Sequence, residues 1–140
     1  MAAAKLLDAV ARMPGMKGEA SDAVSAHTQV FMAEAPRLLK LPGTERPDTW
    51  ISLPRERRPA SWDNITDPVV PLEFNLYGHP LAGLLWERKM EEILFSEGWE
   101  RVKGWECLYL HRKKRLFLSV YVDDFKMVGI SENVNPMWET

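Results

Sequence analysis

The chain has one cysteine, Cys107, in 140 residues. That excludes a disulfide framework and a cysteine-built zinc site, and it suits a reducing, intracellular setting, cytoplasmic or nuclear. Strong charge of either sign is also missing: 18 Lys and Arg against 20 Asp and Glu leave a formal charge of −2. A uniformly basic nucleic-acid surface is thereby excluded, while a local basic patch is not. The histidines, His27, His79 and His111, stand too far apart for metal-ligand spacing. No apolar run is long enough to span a bilayer, and the start, Met1 to Lys5, lacks the apolar core of a secretion signal, so no membrane partner is expected. Repeats are absent, and no clear domain boundary is legible.

What is present is an ordinary globular composition, with 46% hydrophobic and 27% charged residues. Proline is concentrated between Pro36 and Pro80. Leu6, Leu7, Val10 and Met13 fall at helical spacing, and Pro14-Gly15 ends that helix. Asp22 stands where it could cap a helix carrying Val24, His27 and Phe31. Trp50 to Leu53 reads as a short strand closed by Pro54, and Val69 to Leu72 as a short extended segment. Arg55, Arg57 and Arg58 form a small basic cluster, either a solvated loop face or a phosphate contact. A turn over 76–80 leads into a helix over 84–97. Its apolar stripe of Trp86, Met90, Ile93 and Leu94 predicts core packing, with Glu87, Arg88, Lys89, Glu91 and Glu92 facing away and Gly98 as the cap. Residues 105–111 and 116–122 predict an antiparallel hairpin closed by the charged turn Arg112 to Arg115, with the helix packed across it. The end, Gly129 to Thr140, reads as a polar, frayed tail.

The most informative stretch runs from Leu116 to Val128. Leu116 to Val122 is apolar or aromatic except for Ser119, as in a strand buried on both faces. It runs into Asp123 and Asp124, at the tip of a second hairpin. Two adjacent carboxylates repel one another, and burial adds to the cost. A hard divalent cation would offset it. Asp-Asp alone is also what a solvated turn contains.

Four segments in order change that balance. Asp22-Ala23-Val24-Ser25-Ala26-His27-Thr28-Gln29, then Leu76-Tyr77-Gly78-His79-Pro80 followed by Trp86, then Gly98-Trp99 with Cys107-Leu108-Tyr109, then Tyr121-Val122-Asp123-Asp124 with Gly129 resemble the reverse transcriptase of copia-type (pseudoviral) retrotransposons. The resemblance covers roughly Lys17 to Gly129. It implies an α+β fold, with the antiparallel sheet of a polymerase palm backed by helices, incomplete fingers and no thumb. The implied organisation is an N-terminal helix remnant over 1–16, a palm-like domain over 17–130 and a tail over 131–140. The implied activity is RNA-directed DNA polymerisation by nucleotidyl transfer with two Mg²⁺ or Mn²⁺ ions. Asp22, Asp123 and Asp124 would be the catalytic and metal-holding residues. His27, Leu76, Tyr77, Gly78, Leu81 and Tyr121 would meet nucleotide, template or primer. His27 stands where the family carries an aromatic screen against the sugar 2′-hydroxyl, and Leu81 where it often has Gln. The implied partners are an RNA template, a DNA primer and deoxynucleoside triphosphates, with fingers, thumb, ribonuclease H and integrase supplied elsewhere in a polyprotein. The alternative is a catalytically inactive remnant, or a nucleic-acid-binding module, derived from such an element.

Overall fold

In the structure, a computed structural model, residues 2–40 and 49–139 are described. Part of the proline-rich stretch, 41–48, lies outside them. Two compact units are present, Met1–Ala26 with Lys89–Thr140, and His27–Arg88.

The first unit is built on a five-stranded sheet whose strands pair antiparallel in the order β1-β7-β6-β5-β4. The strands are β1 (Met16–Asp22), β4 (Glu100–Arg101), β5 (Leu108–His111), β6 (Leu116–Tyr121) and β7 (Asp124–Ile130). Strand β6 is buried along almost its whole length, as its unbroken apolar run predicts. Helix α1 (Ala2–Ala11) lies on one face, where Leu7, Leu108 and Val128 form a core with Val10, Ala11, Val102 and Phe117 around it. The opposite face meets the C-terminal part of a longer helix and α4 (Ser131–Trp138). Chain architecture is thus α+β.

The second unit contains α2 (Ala35–Leu38) and an antiparallel pair, β2 (Trp50–Ser52) and β3 (Val69–Pro71), as the two short extended readings expect. Single 3₁₀ turns fill much of the rest, one of them over Arg55–Arg57. Arg55 and Arg57 are exposed, whereas the Arg58 Nε–H donates to the Leu53 carbonyl at 2.7 Å. Helix α3 (Ala82–Ser96) joins the two units.

Four local readings need correction. Asp22 does not cap a helix; it ends β1. Pairing with β7 outweighs the local capping preference, because it gives the whole 16–22 segment a hydrogen-bonded partner. The strand read over 105–111 is confined to Leu108–His111, since residues 103–106 turn with Gly104 at a φ of +83°. Of the predicted apolar stripe on α3, Trp86 and Met90 are buried, but Leu94 is only half-buried and Ile93 is 51% exposed. The reason is Glu91, which turns inward to the Tyr109 hydroxyl. At about 100° per residue, that rotation carries Ile93 to the outside. Finally, Ser131 to Trp138 is not a frayed tail. It forms α4, with Val134 fully buried and with Ser131 Oγ donating to the Gly15 carbonyl and Asn133 Nδ2 to the Lys114 carbonyl.

Candidate functional site

The register of two strand pairs creates the site. Asp22 lies directly across from Asp124 in the β1–β7 pair, and Asp124 directly across from Tyr121 in the β6–β7 hairpin. Residues opposite one another in an antiparallel ladder project to the same face. Asp22, Asp124 and Tyr121 therefore form one cross-strand row on the face that α1 covers further along. The turn between β6 and β7 consists of Val122 and Asp123 alone. Val122 takes a left-handed φ of +55°, a costly conformation for a β-branched residue. Such strain persists where the surroundings over-determine it. Here the Tyr121–Asp124 pair closes the turn from one side, and the Ala23 N–H donates to the Asp123 carbonyl at 2.7 Å from the other. That bond ties the end of β1 to the hairpin tip, so Asp22 shares one corner with the adjacent pair Asp123 and Asp124, which is distant from it in sequence.

The Asp124 carboxyl is held above the ordinary aspartate range, first by its hydrogen bond with the Asp22 side chain, then by some loss of water and by the charges of Asp22 and Asp123. Asp22 and Asp124 are exposed and Asp123 is half-buried. Asp124 titrates higher in the folded chain than in the unfolded one. Its contribution to stability is thus present in acid and lost as pH rises through the raised value. Asp124→Asn should remove that loss, gaining on the parent near neutral pH and not in acid. Urea unfolding across the acid-to-neutral range reads this directly, and parallel profiles for the two chains would show that the carboxylates are independent.

The row opens on a cavity of about 400 Å³ lined by Ala4, Ala20, Asp22, Ser119, Tyr121, Asp124, Phe125 and Lys126. Ser119 and Lys126 lie one row further in, and Lys126 forms an ion pair with Asp8 of α1. Lys126 escaped the sequence reading although the signal was there: it stands two residues after Asp124 in a strand, and so on the same face. Among the described residues, no group of three His, Cys, Asp or Glu side chains is arranged as a ready-made metal cage.

The other candidate residues lie in the second unit. His27 is 8% exposed and its ring stacks on Tyr77, with centroids 4.2 Å apart and planes 25° from parallel. Among the described residues, neither His27 ring nitrogen has a hydrogen-bond partner. Leu76, Tyr77 and Gly78 form a turn closed by the His79 N–H on the Leu76 carbonyl, with Gly78 at a φ of +92°. Fully buried Asn75 holds this turn, its amide donating to the Ala82 carbonyl and its side-chain oxygen accepting from the Leu76 N–H. Leu76 and Tyr77 are exposed, and Leu81 is half-buried. The fold therefore joins His27 to Tyr77 within one unit, and Asp22, Asp123, Asp124 and Tyr121 within the other.

No family model matches the chain, and no solved structure does. Curated relatives do. The Transposon Ty1-DR4 Gag-Pol polyprotein of Saccharomyces cerevisiae is 30% identical over 79 residues, covering 56% of this chain and 5% of the polyprotein. The Ty1-DR6 and TyH3 Gag-Pol polyproteins, also from Saccharomyces cerevisiae, match with 30% identity over 79 residues and 4% of their own length. The chain is similar to a short part of retrotransposon polyproteins. These matches support a retrotransposon origin for the region. Among the described residues, no helix is long and apolar enough to cross a membrane.

Proposed function

We propose that this region is the palm of a retrotransposon reverse transcriptase, an RNA-directed DNA polymerase whose acidic site is Asp22, Asp123 and Asp124. The observation that carries the reading is the strand register. It places Asp22 against Asp124, with Asp123 in the adjoining two-residue turn. The motif resemblance named these residues, and the fold brings them to one corner. The retrotransposon polyprotein matches support the same origin.

The donor set fits Mg²⁺ or Mn²⁺. The Asp124 carboxyl is held above its ordinary range by the Asp22 side chain opposite it, a repulsion that a hard cation would relieve, and the open cavity leaves room for substrate oxygens to complete the coordination. Asp22 and Asp123 would hold the ions, with Asp124 beside them. When bound, two such ions would neutralise charge on the transferring phosphoryl group and on the leaving pyrophosphate. The chain's own residues do the positioning. The Ala23–Asp123 bond and the strained Val122 hold the turn in one geometry, and geometry is most of what phosphoryl transfer asks of a protein. Exposed Tyr121 offers a flat ring beside the carboxylates to a template–primer duplex. The stacked His27 and Tyr77, with Leu76, Gly78 and Leu81, are proposed to lie against the nucleotide and the nascent pair. RNA template, DNA primer and deoxynucleoside triphosphates are the proposed partners, in a cytoplasmic or nuclear setting.

Two measurements test this. Mn²⁺ should bind weakly to the chain, and Asp123→Asn should weaken it by about tenfold, since affinity follows the number of charged ligands. Equal affinities by calorimetry would remove the metal site. Grafted in place of the matching segment of an active reverse transcriptase, the chain should support primer extension on RNA. Asp123→Asn with Asp124→Asn should abolish it. A folded graft that binds Mn²⁺ but never extends would favour the second reading, a non-catalytic nucleic-acid-binding remnant. The lack of a ready-made three-ligand cage among the described residues is the observation on that side.

A further inference from the structure

We infer that the open edge of β1 is a self-recognition surface, on which two copies of this chain pair their β1 strands antiparallel across a two-fold axis at Gly18. The inference goes beyond the polymerase reading and does not depend on it.

Among the described residues, β1 ends the sheet order and pairs with β7 alone. The ladder decides which of its backbone groups face outward. In an antiparallel pair, every second residue exchanges its N–H and C=O with the neighbouring strand, and the residues between turn theirs to the other side. The β1–β7 register runs unbroken from Met16 to Asp22. Just beyond its two ends, the Ser131 N–H donates to the Gly15 carbonyl and the Ala23 N–H to the Asp123 carbonyl. The odd-numbered residues therefore bond to β7. Met16, Gly18, Ala20 and Asp22 turn their N–H and C=O to the open edge, and the last three are exposed. At the opposite end of the sheet, β4 has only two residues and offers a much shorter edge.

A seven-residue edge of this kind is a template for another strand unless its side chains oppose the partner. A second β1 is a partner they favour. Lys17 and Glu19 project from the same face and form an ion pair at 2.6 Å, with side chains 40% and 34% exposed. Asn135 of α4 also holds the Lys17 ammonium, at 2.9 Å. With Gly18 opposite the partner's Gly18, each Lys17 faces the partner's Glu19. The four charges then alternate in sign around the axis, and opposite charges directly across a ladder stabilise it. The same alignment satisfies the backbone. Met16 with the partner's Ala20, Gly18 with Gly18, and Ala20 with Met16 each exchange two hydrogen bonds. A slip of two residues either way sets Glu19 against Glu19 or Lys17 against Lys17. A slip of one sets outward-facing groups against inward-facing ones. Charge and hydrogen-bond phase thus select one register independently. The next pair in it would be Asp22 with Pro14, and proline has no N–H to give. The seam stops there and leaves the carboxylate corner open. A two-fold pairing closes on itself, so it makes a dimer and not a fibre.

The test is sedimentation velocity of the whole chain without metal or nucleotide. Between about 5 and 300 µM it should show a monomer–dimer equilibrium with a Kd on the order of 10–100 µM, as suits a small interface. Lys17→Glu should weaken dimerisation by about tenfold or more, because the two-fold axis repeats the like-charge clash, and Glu19→Lys should do the same. An equimolar mixture of these two variants should associate at least as well as the parent, since one edge is then acidic and the other basic. Both changes in one chain should restore self-association. Ala20→Pro removes an outward N–H and spares the bonds to β7, where edge strands accept proline, and it should abolish the dimer. Far-ultraviolet circular dichroism checks the fold of each variant. A parent that stays monomeric over the whole range, a dimer indifferent to Lys17→Glu, or charge variants that fail to associate when mixed would each overturn the proposal. The metal titration and the primer-extension graft read a different part of β1, so their outcomes leave this one standing.

Discussion

Gly129→Ala should cost the chain about 3 kcal/mol of stability, the upper end for overpacking a tight site. Gly129 is buried in β7 opposite Leu116. A methyl group there would overlap the Arg115 carbonyl oxygen and would come within 2.7 Å of Leu116 Cδ2 and 3.0 Å of Leu116 Cα. Two of those three atoms are backbone, so no rotamer change can make room. The backbone cannot yield easily either, because Arg115 already holds a left-handed φ of +55° where the charged turn enters β6. A loss of this size lowers the thermal midpoint by on the order of 10 °C. Gly83→Ala is the matched control. Gly83 sits in α3 with open space around it, and alanine there should be neutral or stabilising by up to ~1 kcal/mol through helix propensity. Similar losses for both variants would mean that crowding at Gly129 is not what matters. The glycine that ends the aspartate hairpin motif thus has a packing reason: β6 and β7 meet too closely there for any side chain.

Glu91→Ala should cost about 2–3 kcal/mol, visible as a lower urea midpoint with an unchanged slope. Glu91 is 5% exposed, and one of its oxygens accepts from the Tyr109 hydroxyl at 2.9 Å and from Arg101 Nε at 2.6 Å. Tyr109 is itself 1% exposed, so the truncation removes the acceptor of a buried hydroxyl. Arg101 is 44% exposed and can turn to water, which keeps the loss below that of a fully buried pair. Glu91→Gln keeps an acceptor for both donors and should lose only about 1 kcal/mol, the net worth of an ordinary hydrogen bond. If glutamine proved as damaging as alanine, the charge rather than the hydrogen bonding would be the stabilising element. Glu91 anchors the last part of α3 to β5, where Phe95 also reaches the Tyr109 ring at a centroid distance of 6.4 Å. The sheet that carries the aspartates is braced from this side.

Much of the architecture was legible locally. Period-two and unbroken apolar runs located β5, β6 and β7. Helical spacing and Pro14-Gly15 located α1, and Gly98, at a φ of +93°, ends α3 with the Trp99 N–H bonded back to the Leu94 carbonyl. The Asp123-Asp124 turn was legible too, and the motif resemblance added Asp22. These features depend on neighbours within a few residues, where backbone sterics and side-chain period act directly. Tertiary structure decided what depended on distant partners. Asp22 reads locally as a helix cap and becomes a strand end because β7 lies alongside it. Glu91 reads as solvated and becomes buried because Tyr109 offers its hydroxyl. Residues 131–138 read as a frayed tail and become α4 because Gly15 and Lys114 provide acceptors and a pocket takes Val134. The meeting of Asp22 with Asp124 belongs to the same class: the sequence places the two carboxylates about a hundred residues apart, and only strand register sets them opposite one another, where the Asp22 side chain holds the Asp124 carboxyl above its ordinary range.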